Sequence, residues 1–223
     1  MLPWRSADGK GLNFELLKQV TDRTGIEFKY TPLPWKRCLA GLKANEFEGA
    51  IGASHNSERE AFAAYPGVPG NPDFKKRLYS DRYVFLRQKG TSIRWNGQKL
   101  EGLSGQVGIQ LGYSVAKELL ALGLEIDDGA QGGRQLLHKL VAGHVNAIAM
   151  LEGEARWLLE HDNAFSTAEI LPIAISEKAY FLIFSKAYKE THLSQAERIW
   201  TTVGAIREDN ENPKTKKRAS AQR

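Results

Sequence analysis

Residues 33–59, LPWKRCLAGLKANEFEGAIGASHNSER, constrain the fold of this chain more than any other stretch. Trp35, Cys38, Leu39 and Leu42 recur at i, i+3, i+4 and i+7, the spacing of one helical face. Pro34 suits the first turn of such a helix, where its missing N–H would have no intrahelical partner. Gly49-Ala50-Ile51-Gly52-Ala53 is then small and apolar enough for a strand covered on both faces. Ser54, His55, Asn56, Ser57, Glu58 and Arg59 follow at once. Open α/β sheets bind ligands outside the carboxyl ends of their strands. A guanidinium there matches a carboxylate with two parallel hydrogen bonds, so the stretch predicts a small-anion site around Arg59.

The rest of the chain repeats this alternation. A turn at Asp8-Gly9-Lys10-Gly11 leads into a predicted helix over 12–24, with Leu12, Leu16, Leu17 and Val20 inside and Gly25 as the stop. Residues 26–31 alternate apolar and polar side chains and predict a strand. Residues 64–82 are rich in Pro and Gly and predict a loop. Further strands are expected at 83–87, 107–110, 124–126, 145–151 and 180–184, and helices from Gly112-Tyr113-Ser114 onward, over 133–142, 154–160 and 194–207. LKANEFEG (42–49) echoes LVAGHVNA (140–147), each a helix end, a turn and a strand start. Strands and helices alternating twice predict two α/β lobes. Residues 1–84 with 184–211 form the first, 85–183 the second, and 212–223 a disordered tail.

Composition removes several function classes. The formal net charge is +5, and the tail alone accounts for it through Lys214, Lys216, Lys217, Arg218 and Arg223. No basic face remains for nucleic acid. The single cysteine, Cys38, excludes an internal disulfide and a cysteine zinc cluster, and is expected in the core. No apolar run approaches the roughly 18 residues of a membrane span, and no basic-then-apolar leader precedes Pro3. The five histidines show no paired metal-ligand spacing. Nucleophile-elbow, Walker and dinucleotide fingerprints are missing as well, so neither metal nor cofactor is expected.

GLNFELLKQVTDRTG, PWKRCLAGLKANEFEGAIGA, the SER turn with its following YP, VGIQLGYS and LLHKLVAGHVNAIAM together resemble family 3 extracellular solute-binding proteins. These are the periplasmic polar amino-acid-binding components of ABC transporters, and the resemblance runs over residues 3–207. It implies a type II clamshell of two α/β lobes. The family's export signal and first strand, which stand ahead of the segment matching Pro3-Trp4, are expected to be lacking. It implies a monomer in the periplasm that captures a small carboxylate, an amino acid, between its lobes for a permease.

Carried across, the family's carboxylate-binding arginine falls on Arg59, and its hydroxyl and backbone positions on Gly52 and Ser54. The stacking aromatic falls on Trp35, with Trp4 as a second wall. The family's Gly-Thr-Thr turn falls on Gly112, Tyr113 and Ser114. Its ammonium-binding acid falls on Leu151, leaving Glu152 next to it as the candidate. The alternatives are an enzyme on the same scaffold, resembling cyclohexadienyl dehydratases and working through Glu152, His55 or Glu154, or a ligand-sensing domain.

Overall fold

The computed structural model describes residues 2–211, and the expected tail at 212–223 lies outside the described residues. Helix α1 (Leu12–Thr24) ends at Gly25, whose φ of 70° lets its N–H reach the Thr21 carbonyl at 2.7 Å. Its buried face is Asn13, Leu16, Leu17 and Val20. Leu12, expected inside, is 49% exposed because it stands at the helix start, outside that stripe. Residues 26–31 are a second correction: the segment joins no ladder, since alternation makes a strand only where a partner meets its backbone. Helix α2 (Trp35–Lys43) buries Leu42 fully, while Trp35, Cys38 and Leu39 stay half-buried, so Cys38 is not the core residue expected.

Strand β1 (Gly49–Ser54) leads into a single helical turn, α3 (Ser57–Glu60), and a short β2 (Ala63–Ala64). The predicted loop instead holds the hairpin of β3 (Gly67–Val68) with β4 (Asn71–Pro72), a 3-10 turn at Phe74–Lys76 and the start of β5 (Tyr79–Gln88). There follow the pair β6 (Arg94–Trp95) and β7 (Leu100–Glu101), then β8 (Val107–Gln110), α4 (Val115–Ala121), β9 (Ile126–Ala130), α5 (Gly133–Val141), β10 (Ala147–Leu151) and α6 (Glu152–His161). Strand β11 (Ala168–Ser185) and helices α7 (Lys186–Thr191) and α8 (Leu193–Glu211) complete the described chain.

The chain divides into two compact units. One comprises residues 2–6, Leu33–Lys36 and Asp81–Lys178; the other comprises Ala7–Pro32, Arg37–Ser80 and residues 179–211. The reading of 1–84 with 184–211 as one lobe and 85–183 as the other therefore differs at 2–6, 33–36, 81–84 and 179–183. The cause is visible in Trp4, bonded to Asp81, and in Trp35, beside Gly112. In the 81–178 unit, β10 lies parallel to β8 and antiparallel to β5, and β9 is parallel to β8. Leu136, Leu137 and Leu140 of α5 pack on this layer with Ile148, Met150 and Phe165. In the other unit, β1 runs antiparallel to the end of β11, from Gly49 opposite Phe184 to Ser54 opposite Tyr180. Helix α8 buries Trp200 completely, and its indole N–H donates to the Leu182 carbonyl at 2.7 Å.

The sequence echo is structural. At the end of α2 the amides of Ala44 and Glu46 bond the carbonyls of Ala40 and Gly41; at the end of α5 those of Ala142 and His144 bond His138 and Lys139. Asn45 and Gly143, at corresponding places, both have left-handed backbones, with φ of 59° and 74°. Each turn drops the chain into a largely buried strand, β1 or β10.

Candidate functional site

The Arg59 cluster grows from a bend in β1. Gly52 has φ 76°, and the pairing with β11 shifts register between Ile51 and Ala53 around it. A left-handed residue here suits glycine, and the bulge re-aims the strand end that carries Ser54. The Asn56 side chain then accepts the Arg59 amide at 2.8 Å and caps α3. That one turn brings Arg59 back over the strand, where only 6% of it is exposed. Its Nη1 donates to the Ser54 carbonyl at 2.9 Å and to Ser54 Oγ at 2.8 Å. The Tyr65 hydroxyl donates to the same carbonyl at 2.8 Å, and burial pushes that phenol well above its ordinary pKa. His55 Nε2 pairs with Glu60 Oε2 at 3.2 Å, and Glu60 Oε1 accepts the Gly70 amide. Ser54 and Arg59 are thus in direct contact, at the end of the strand that bends at Gly52.

In the 81–178 unit the aromatic candidates are held by named partners. The Trp4 indole N–H donates to Asp81 Oδ2 at 2.8 Å. The Arg5 guanidinium lies 5.1 Å from the Trp35 ring centre, a cation–π distance. Gly112 has φ 78°, and a side chain built on it would meet Trp35 Cδ1 at 3.6 Å, so these two candidates are neighbours. The Tyr113 amide donates to the Gln110 carbonyl at 3.2 Å. Ser114 precedes α4 without a side-chain capping bond; its hydroxyl instead accepts from Lys178 Nζ at 3.3 Å. Lys178 also pairs with Glu118 and lies over the Tyr83 ring.

Glu152 lies among guanidinium groups. It accepts from Arg82 Nε at 2.7 Å and from Arg156 Nε and Nη2 at 2.9 and 2.6 Å. Burial opposes its ionisation, but those bonds and the charges of both arginines hold its carboxyl below the ordinary value. Glu154 is 2% exposed, and burial raises its carboxyl against the opposing influence of Gln110 and Arg5. Asp81, Tyr65, Lys178 and Arg82 are partners that sequence reasoning did not single out. Only Tyr65 left a trace, in the YP that follows the SER turn. Among the described residues no group of three or more His, Cys, Asp or Glu could hold a metal ion. Among them, too, no helix is long and apolar enough to cross a membrane.

No family model matches this sequence, and no curated protein matches it. Solved structures do resemble it. The GluR0 ligand-binding core from Nostoc punctiforme, in complex with L-glutamate, superposes with a TM-score of 0.75 at 15% identity, covering 94% of this chain and 91% of that one. The arginine-, lysine-, histidine-binding protein ArtJ from Geobacillus stearothermophilus gives 0.73 at 16% identity, with 93% and 85% covered. The substrate-binding protein of an amino acid ABC transporter gives 0.71 at 13% identity, with 92% and 85% covered. The chain has the α/β fold of these ligand-binding proteins, as the sequence predicted.

Proposed function

We propose that this chain is a solute-binding protein whose ligand is a small polar carboxylate, an amino acid, received by Arg59. The carrying observation is the buried Arg59 guanidinium, fixed on Ser54 at the carboxyl end of β1. Such a group is costly to desolvate and is well matched to a carboxylate, with charge-assisted hydrogen bonds of about 1.5–3 kcal/mol. Trp4, Trp35, Gly112, Tyr113 and Ser114 supply the remaining ligand contacts. The shared fold supports an amino acid as the ligand, since the similar structures include a glutamate complex and an arginine-, lysine-, histidine-binding protein.

Periplasmic capture for an ABC permease, by a monomer that performs no catalysis, completes the reading, and one similar structure belongs to an amino acid ABC transporter. The dehydratase-like alternative is less well supported. Glu152, its acid or base, is ion-paired with two arginines, and His55 is engaged with Glu60. The same pairing argues against Glu152 as the ammonium contact.

A thermal-shift screen of the common L-amino acids and small dicarboxylates tests the reading, because a ligand that prefers the folded state raises Tm. A rise of several degrees with one or a few amino acids supports it. No rise with any of them contradicts it.

A further inference from the structure

We infer that Asp81 is a positioning residue that sets the Trp4 indole, with Gly153 providing the space for the pair; this rests on the ligand-wall role of Trp4 given above. Asp81 is 7% exposed, and one carboxylate oxygen accepts the Trp4 indole N–H at 2.8 Å. The other accepts two backbone amides, Arg82 at 2.8 Å and Gly153 at 3.2 Å. The Gly153 bond is a helix cap made from another element. Leu151, which precedes α6, has no side chain able to accept, and Asp81 brings an anion to the first turn instead. Three donors from three places in the chain thereby converge on one desolvated carboxylate. An indole with two faces and a single N–H has its orientation defined once that N–H is bound.

Gly153 supplies a second, independent observation. A side-chain carbon built on it would lie 3.0 Å from Asp81 Oδ2, 3.0 Å from Trp4 Nε1 and 3.3 Å from Trp4 Cε2. The Trp4–Asp81 bond therefore occupies the volume that any other residue would need at 153. Helix α6 carries a glycine, a poor helix former, in its first turn, where that close approach requires it.

Asparagine at 81 keeps the size of aspartate but cannot accept at both ends, so one of its two sets of donors meets an NH2 group. The experiment compares Asp81→Asn, Trp4→Phe and the double variant by two readouts. The first is acrylamide quenching of Trp4 in the ligand-free protein, isolated among the five tryptophans by difference from Trp4→Phe. The second is calorimetric affinity for the common L-amino acids, tested singly. We expect Asp81→Asn to raise Trp4 quenching about twofold, and to weaken binding about fivefold with Trp4 present but not in the Trp4→Phe background.

Unchanged quenching, or equal weakening in both backgrounds, overturns the positioning role. Raised quenching with unchanged affinity in every variant upholds it and instead removes Trp4 from the ligand site. If no amino acid binds, the quenching result still decides the positioning role, while the reading under Proposed function fails separately. Should Asp81→Asn not fold, Gly153→Ala replaces it: alanine favours the helix, crowds Trp4 Nε1, and must raise quenching in the same way.

Discussion

Asn45 and Gly143 hold the same place in two copies of one helix-to-strand turn, at φ 59° and 74°. Left-handed backbone costs a side-chain-bearing residue about 1–2 kcal/mol, less for asparagine. Gly143→Ala should therefore lower stability by about 1–2 kcal/mol and Gly143→Asn by less. Asn45→Gly should be neutral or stabilising. Urea midpoints at constant m-value measure all three.

A close approach in the other unit gives a sharper loss. A side-chain carbon on Gly204 of α8 would stand 2.7 Å from the Lys75 backbone oxygen. Backbone cannot yield as a flexible side chain can, so Gly204→Ala should destabilise by about 1–3 kcal/mol, despite alanine's better helix propensity. Thermal melts of the variant and the parent check this directly.

These two turns show how far the chain was legible. Helix α1 was readable because a stripe at helical spacing and a glycine stop agree over 13 residues. The echo of 42–49 in 140–147 was readable because a local turn needs only local residues. The segment at 26–31 was misread because a ladder depends on a partner strand, which alternation in one segment does not reveal. The α3 residues were legible as a turn but not as a helical one, because four residues carry no periodicity, although Asn56 three positions before Arg59 is its cap. Asp81 was unreadable: it lies at the edge of a Pro- and Gly-rich stretch, and its indole partner is 77 residues away.

Glu152 predicts a pH dependence of stability. Its carboxyl is held below the ordinary value by Arg156 and Arg82 against the cost of burial. The folded state then binds fewer protons than the unfolded chain near the unfolded value of about 4.3. The stabilisation is complete above that value and is lost as pH falls through it toward the lower folded one. Glu152→Gln should cost about 1–3 kcal/mol at pH 7, and the difference from the parent should shrink steadily below about pH 4. Asp81, raised chiefly by burial, acts with the opposite sign, losing stability as pH rises above its unfolded value. The Glu152 charge adds to the rise of the Asp81 carboxyl, so Glu152→Gln also relieves part of that opposing effect and the difference between the two proteins reads the pair.

Tyr65 shares the Ser54 carbonyl with Arg59. Tyr65→Phe removes the phenol's hydrogen bond to that carbonyl and should cost about 1 kcal/mol of stability. The cluster retains the guanidinium, so affinity for an amino acid that binds the parent should fall by no more than a few-fold in calorimetric titration.

Isothermal titration of Arg59→Ala beside the parent, with the amino acid that most raises the parent's Tm, tests the central claim most directly. Loss of the guanidinium should weaken binding about tenfold or more, at least ~1.4 kcal/mol, with the circular dichroism of the folded chain preserved. Arg59→Lys should recover little of it, because an ammonium cannot form the paired bonds. A folded Arg59→Ala protein that binds that amino acid as tightly as the parent would contradict the account.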